Sequence, residues 1–506
     1  MMDSVVNLMH GFGHALTPEA LLFCLIGVTI GTLVGVLPGI GALAAISLTL
    51  PLTYYVEPLL ALIMLSGIFY GTQYGGSITA ILLNLPGEPS TAITCLDAHP
   101  MAKKGRAGAA LFITAGASFV GGSLALILLV CFTPYLAGVA LSFSSADYFA
   151  LILFCLIGAS MLGLGSPMKG FSMVAVGLLL GMVGIDVTTG QTRYTLGLPS
   201  LTDGISFVAM MMGLFGISEV LSTYLDEDEA PKPTEVTLRS LIPTREELRD
   251  ATMPTLRGSA LGSVIGLLPG MGATLGTFIA YAIEKRISRN PSKFGTGAVE
   301  GIASPEACNN ATVQASFIPM LGIGIPSGAV MAVLMGAMMI HGIQPGPLMM
   351  VQHPDVFWGV VASMWVGNVM LLVLNIPLIG IWVKLLSVPP RILSPIILLV
   401  MCIGVYSVNN NLFDLYTMIV FGVLGYIFTS FGYSPALLIL GVILSPILEE
   451  HLRRALLISD GDYLVFLQSP TAGTFIVLSI LVVALSLRGG VSALILKRRN
   501  ARVIDE

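Results

Sequence analysis

The octapeptide GVLPGIGA occupies Gly35–Ala42, and GLLPGMGA repeats it almost unchanged at Gly266–Ala273. Both lie inside apolar runs. Proline lacks an amide hydrogen and clashes with the preceding turn, while glycine permits a reversed backbone, so each octapeptide predicts a helix break. The first run, 18–50, is too long for one crossing and too short for two with a turn. Its roughly 33 residues would form a helix of about 50 Å against a hydrocarbon core of about 30 Å. Breaks are therefore expected at Pro38-Gly39 and Pro269-Gly270. Irregular backbone at membrane depth needs protein or a water-filled cavity around it. A helix restarting at Gly39 or Gly41, or at Gly270 or Gly272, offers unpaired N–H groups and a positive dipole end. One such break alone reads better as a kink packed by small residues. Two in corresponding places point to a transport site.

Composition sets the class. Of 506 residues, 55% are hydrophobic and 10% charged, and the mean hydropathy is +0.91. A soluble domain carries about 25% charged residues. The chain is read as a polytopic membrane protein, and as helical because its apolar runs lack strict alternation. A net charge of -5 without a basic tract gives nucleic acid no purchase. Cys24, Cys95, Cys131, Cys155, Cys308 and Cys402 are scattered without metal-ligand spacing and are expected to be small buried hydrophobes. The first 17 residues lack Lys and Arg, so the first apolar segment is expected to be structural.

Roughly a dozen apolar segments follow one another. They fall into an expected first repeat over 1–225, a charged linker over 226–257 with a short helix near Thr244–Ala251, and a second repeat over 258–455. A final span and basic tail occupy 456–506. Three stretches match in the same order: the octapeptides with their flanks, NLPGEPSTAI from Asn84 with LGIGIPSGAV from Leu321, and the glycine-rich runs from Met173 and Met418. The second match sets Pro89-Ser90 over Pro326-Ser327. Internal duplication accounts for this order. Lys103, Lys104 and Arg106 follow the second segment of the first half, whereas the loop in that place in the second half has no basic residue. Conversely, Lys285, Arg286, Arg289 and Lys293 correspond to LTYYVEP, which has no basic residue. Equivalent loops thus face opposite sides, although Arg453 and Arg454 do not fit. The expected fold is all-α and polytopic, with two inverted-topology repeats carrying broken helices or re-entrant hairpins.

A second, more polar pair of interruptions is expected at GTQYGGS (Gly71–Ser77) leading to NLPGEPS, and at SPEACNNATVQ (Ser304–Gln314) leading to GIPSG. Candidate substrate contacts are Pro38, Gly39, Gly41, Gly75, Gly76, Ser77, Asn84, Pro86, Gly87 and Ser90, with Pro269, Gly270, Gly272, Asn309, Asn310, Ser327 and Gly328. Gln73, Glu88, Glu306 and Gln314 are candidates for ion coupling, because an ionisable group at membrane depth is a functional hypothesis by default. Interfacial turns would explain the same residues more blandly. Neither 1–102 nor 294–383 contains Lys or Arg. An anionic solute would then be met by helix N-termini, backbone N–H groups, hydroxyls and amides. Unwound carbonyls suit sodium, whereas Glu88 or Glu306 suits a proton.

These residues bear a family resemblance. GVLPGIGA, YGTQYGGSITAILLNLPGEPSTA, CLDAHPMAKKGRAGAAL, GLLPGMGA and GIGIPSGA resemble the large membrane subunit, TctA type, of tripartite tricarboxylate transporters. The resemblance implies secondary uptake of carboxylates such as citrate across the bacterial inner membrane, driven by a sodium or proton gradient. It also implies a small four-span membrane subunit and a periplasmic solute-binding protein, with no organic cofactor or resident metal. Carried over by position, its motifs fall on Pro38, Gly39 and Gly41, on Gly71–Ser77 and Asn84–Ser90, and on Pro269–Gly272 and Gly324–Gly328.

Three other classes compete. Ser327 and His341 would have to pair in an intramembrane serine protease. A carboxylate channel would need no gradient coupling. A scaffold for the small subunit would have no use for twin breaks. The absence of GxxxxGK[ST] and HExxH argues against an ATP-driven pump and a metalloprotease.

Overall fold

The computed structural model describes residues 2–37, 41–162, 166–186, 189–225, 238–270, 272–385 and 390–484. Helix dominates, and the one strand pair among the described residues joins Gly184–Ile185 to Thr192–Arg193. Five described helices are individually long and apolar enough to cross a membrane: Pro18–Val36, Cys95–Ala140, Pro354–Asn375, Leu412–Ser430 and Pro435–Ile458. Shorter apolar helices, Gly41–Thr53 and Ala329–Ile340 among them, begin at breaks in the chain.

Internal contacts divide the chain into one unit of Met1–Leu141 with Ile205–Phe428 and another of Ser142–Gly204 with Thr429–Glu506. In the first unit, α1 is Met2–Ala15, α2 Pro18–Val36, α3 Gly41–Thr53, α4 Pro58–Leu83, α5 Cys95–Met101 and α6 Ala107–Ala140. After residue 205 come α7 Arg245–Gly266, α8 Gly272–Ile287, α9 Glu300–Ala315, α10 Phe317–Ile323, α11 Ala329–Ile340 and α12 Pro354–Asn375.

Glycine spacing explains the packing. On α2, Gly27, Gly31 and Gly35 line one helical face, and a first side-chain carbon on each would sit 2.3, 2.4 and 2.3 Å from the carbonyl oxygens of Met64, Ile68 and Thr72 on α4. On α7, Gly258, Gly262 and Gly266 meet the carbonyls of Ser304, Cys308 and Thr312 on α9 at 2.2, 2.3 and 2.5 Å. Apolar side chains gain little by leaving lipid for protein, so backbone approach through small residues holds such helices together. The same device is therefore built twice, by residues that flank the repeated octapeptide.

This packing corrects the expected second pair of interruptions. GTQYGGS lies within continuous α4 and SPEACNNATVQ within continuous α9. The glycines of α4 serve the crossing with α2: Gly75 approaches the Thr32 carbonyl as Gly35 approaches that of Thr72. The chain breaks later, where Asn84 ends α4 at φ 60° and Gly324 ends α10 at φ 84°, both left-handed. The matched crossings and caps place Asn84 over Gly324, Pro86 over Pro326, Gly87 over Ser327 and Glu88 over Gly328. That register differs from the one read from Pro89-Ser90.

The helix expected near Thr244–Ala251 is longer than the sequence suggests. Thr244 and Glu247 cap it reciprocally, with Glu247 N–H on Thr244 Oγ1 at 3.2 Å and Thr244 N–H on Glu247 Oε2 at 2.6 Å. It then runs on through Pro254 into the apolar segment as α7. Cys24, Cys155 and Cys308 are buried as expected, but Cys131 and Cys402 are exposed. Apolar helices facing lipid accept an exposed thiol readily.

In the second unit, Gly177 of the helix Pro167–Gly181 and Gly441 of the helix Pro435–Ile458 repeat the close approach, against the carbonyls of Leu438 and Val174. Arg453 pairs with Asp186 at 2.9 Å and Glu449 at 2.6 Å, and Arg454 pairs with Glu450.

Candidate functional site

The first unit holds a cavity of about 280 Å³ at its two helix breaks. Ala42, Phe69, Gln73, Glu88, Pro89 and Ser90 come from the first half. The second half supplies Gly272, Ala273 and Thr274, then Thr312 and Ser316, then Ser327, Gly328 and Ala329 with their neighbours. Its wall is mostly apolar, with hydroxyls and one amide. Among the described residues lining it, Glu88 alone is ionisable.

Three helices begin at this cavity. The octapeptides create two of them: α2 ends at Val36 and α3 starts at Gly41, while α7 ends at Gly266 and α8 starts at Gly272. Gly41 and Gly272 are both left-handed, at φ 64° and 60°. Helix α11 begins after Gly328. First-turn N–H groups have no carbonyl one turn back, so each start presents donors and partial positive charge.

The starts are not equally free. Glu88 Oε1 accepts the Ala42 N–H at 2.6 Å, so the first half caps α3 with its own carboxylate. The equivalent of Glu88 is Gly328, and a side-chain carbon there would meet nothing within 4 Å. At the second-half break the tie is backbone alone, Gly270 N–H to the Ser327 carbonyl at 2.9 Å. Ala273 and Thr274 at the start of α8, and Ala329 at the start of α11, thus line the cavity, and among the described residues no carboxylate accepts their N–H groups.

Behind the cavity lies a second polar group. Ser90 Oγ donates to Gln73 Oε1 at 2.9 Å, and both residues line the cavity. One turn further along α4, Ser77 Oγ stands 3.0 Å from the Gln73 carbonyl and 2.7 Å from Glu306 Oε2. Thr94 Oγ1 reaches Glu306 Oε1 at 2.5 Å, and Ser118 Oγ of α6 lies 3.5 Å from Oε2. Glu306 is 1% exposed. Asp97 on α5 makes a third buried site. Its Oδ1 accepts N–H groups of Gly295, Gly297 and Ala298, each at 2.8 Å, and its Oδ2 accepts the Tyr281 hydroxyl at 2.8 Å.

The candidates named from sequence divide accordingly. Gln73, Glu88, Ser90, Gly272, Ser327 and Gly328 line the cavity, and Gly41 and Gly270 shape its turns. Pro38 and Gly39 lie outside the described residues, and Pro269 precedes the turn at Gly270. Gly75 and Gly87 serve backbone contacts, Gly87 lying against the Gly35 carbonyl, and Gly76 packs on Glu88. Ser77 and Glu306 form the group behind the wall. Asn84 and Pro86 are exposed beyond the end of α4, while Asn309, Asn310 and Gln314 are buried along α9 away from the cavity. Sequence reading passed over Ala42, Ala273 and Thr274, although the residue after a left-handed glycine is where a new helix first offers N–H groups. Thr94, Asp97 and Ser118 gave no local signal, since their partners are remote in sequence.

Ser327 precedes α11 and His341 follows it. Twelve helical residues separate them by about 18 Å, so they form no nucleophile–base pair.

The fold and site define a multi-pass helical membrane protein with a cavity walled by both halves of its sequence. The chain belongs to the tripartite tricarboxylate transporter TctA family, whose profile matches residues 21–440. That is a family of transporter subunits and not of enzymes. Among its relatives, an Agrobacterium vitis protein described as an uncharacterized 52.8 kDa protein in the TAR-I ttuC' 3'region is 49% identical over 487 residues, 96% of this chain and 97% of the relative. A second Agrobacterium vitis protein, described by the TAR-II ttuC' 3'region, is 51% identical over 226 residues, 45% of this chain and 93% of that one. No solved structure matches the chain.

Proposed function

We propose that this subunit carries a di- or tricarboxylate, citrate-like in size, across the bacterial inner membrane by secondary active transport. The observation that carries the reading is the unequal pair of helix starts. Glu88 displays in the first half how a carboxylate sits on α3, and Gly328 leaves the corresponding place before α8 open for the solute. The start of α11 meets a second carboxylate. Backbone N–H groups and dipoles thereby do the work of the absent Lys and Arg. A periplasmic solute-binding protein delivers the solute, and the small four-span subunit completes the membrane complex. A sodium or proton gradient drives accumulation, and the two inverted halves alternate access to the site. The meeting of the two basic loops supports the inverted arrangement: Lys104 Nζ donates to the Thr296 carbonyl at 2.7 Å.

Gly328→Glu tests the site. Gly328 is extended at φ −171°, a conformation any residue adopts, so the variant should fold. Its carboxylate should occupy the α8 start as Glu88 occupies that of α3. A tethered competitor acts at an effective concentration in the millimolar range, so uptake should fall at least about tenfold. Gly328→Ala should transport normally. Wild-type uptake of labelled citrate, succinate, malate and tartrate by Gly328→Glu complexes would place the solute elsewhere. A channel is separated by accumulation: it could not concentrate the solute against its gradient, nor lose that ability to an ionophore.

A further inference from the structure

Glu306 differs from the other buried or half-buried carboxylates near the cavity in having neither a cation nor a backbone N–H partner among the described residues. Glu284 pairs with Arg257 at 2.6 Å, Asp97 collects three N–H groups, and Glu88 takes the N–H of a helix start. Glu306 has hydroxyls alone, and among the described residues it forms no ion pair. A bare charge in such a place is costly unless it is neutralised.

Hydrogen counting indicates what neutralises it. Ser77 has one hydroxyl hydrogen and two acceptors in range, the Gln73 carbonyl at 3.0 Å and Glu306 Oε2 at 2.7 Å. The Gln73 carbonyl is four residues back, where Ser and Thr on helices commonly bond. If Ser77 donates there, the short contact to Oε2 needs a hydrogen from Glu306. A carboxylic acid donating through Oε2 to Ser77, and accepting from Thr94 at Oε1, satisfies every member. The titratable side chains near Glu306 are Tyr74 on α4 and Cys95 on α5, neither of which can supply a positive charge. Arg257, on α7, is engaged by Glu284.

We infer that Glu306 is the proton-carrying residue of the transport cycle, holding a proton between the two halves of the chain. When protonated it donates to Ser77, which donates to the Gln73 carbonyl. When the proton leaves, Ser77 turns its hydroxyl to the carboxylate and abandons that carbonyl. Glu306 comes from the second half, whereas Ser77, Thr94 and Ser118 come from the first. Gain or loss of the proton thus changes the bond network at their seam. Gln73 lies one helical turn from Ser77 and bonds Ser90 on the cavity wall, which places the proton and the solute on one connected network. The inference rests on the transport reading and adds the identity of the coupling ion and its residue.

Two measurements on the complete reconstituted complex test it. Proteoliposomes are assayed with labelled citrate, succinate, malate and tartrate for exchange at equal concentrations and for accumulation under an imposed pH gradient. Glu306→Gln should keep exchange within about twofold and lose accumulation altogether, because a neutral amide mimics the protonated state permanently. Infrared difference spectra of the purified complex at neutral pH should show a protonated-carboxyl stretch in wild type that Glu306→Gln lacks. Gradient-driven accumulation by Glu306→Gln, accumulation by wild type under a sodium gradient alone, or absence of the band would overturn the inference. Loss of exchange by a well-folded Glu306→Gln would also overturn it. Failure of wild type to exchange any of the four acids would refute the transport reading instead, leaving the infrared result to judge Glu306.

Discussion

The two halves of the chain treat the same helix start differently. At α3 a carboxylate from 46 residues away occupies the Ala42 N–H, whereas at α8 the corresponding place faces the open side of Gly328. Around that difference, glycine triplets, carbonyl contacts, left-handed caps and left-handed glycines recur in the same order. Of these two helix starts, one is capped by a carboxylate of the chain itself and the other is not. An asymmetric site can hold a ligand in one orientation, as a symmetric one cannot.

Breaking the shared scaffold should have the largest effect. Gly262→Val and Gly31→Val press side chains onto backbone carbonyls that lie about 2.3 and 2.4 Å from the first carbon. Each should cost more than the roughly 1–3 kcal/mol of ordinary overpacking, because a helix backbone cannot turn aside. Recovery of folded protein after detergent extraction should collapse for both. Normal recovery of one alone would show that the two crossings are not equivalent in energy.

The next effect concerns a tie that only one half supplies. Asp97→Ala strands the N–H groups of Gly295, Gly297 and Ala298, and a stranded buried donor costs about 1–3 kcal/mol. The thermal midpoint of the purified protein should drop by several degrees. An unchanged midpoint would mean that water replaces the carboxylate easily.

Removing the built-in anion sharpens the comparison directly. Glu88→Ala frees the start of α3, at a cost of about 0.5–2 kcal/mol typical of a lost cap. It also makes the first half resemble the second. Acetate should then raise the variant's thermal midpoint more than that of wild type, and an equal rise would deny α3 its place as an anion site. The smallest effect belongs to the left-handed caps. Asn84→Gly should be nearly neutral because Gly324 already serves there, whereas Asn84→Ala should lose about 1 kcal/mol.

Part of the site was legible because it is written in local backbone chemistry. Pro-Gly within an apolar run announces a break, and both octapeptides lie at one. The polar stretches Gly71–Ser77 and Ser304–Gln314 misled for a related reason: glycine serves a turn and a close helix contact equally well. Nothing within GTQYGGS distinguishes them, because the deciding atoms belong to α2. The bridge from Thr94 and Ser118 to Glu306 was likewise invisible, joining residues 212 and 188 positions apart.

By itself the sequence determined that the chain is a helical membrane protein, that an octapeptide recurs in it, and that a helix is interrupted at each occurrence. Those properties follow from hydrophobicity and backbone sterics, which act over a few residues. Only the tertiary structure decided which helix starts share a cavity, that Glu88 fills one while Gly328 leaves the other open, and that Glu306 sits among hydroxyls with no cation. Those outcomes depend on where distant segments are held in space, and a neutral or charged partner does not reveal itself in the residues it will meet.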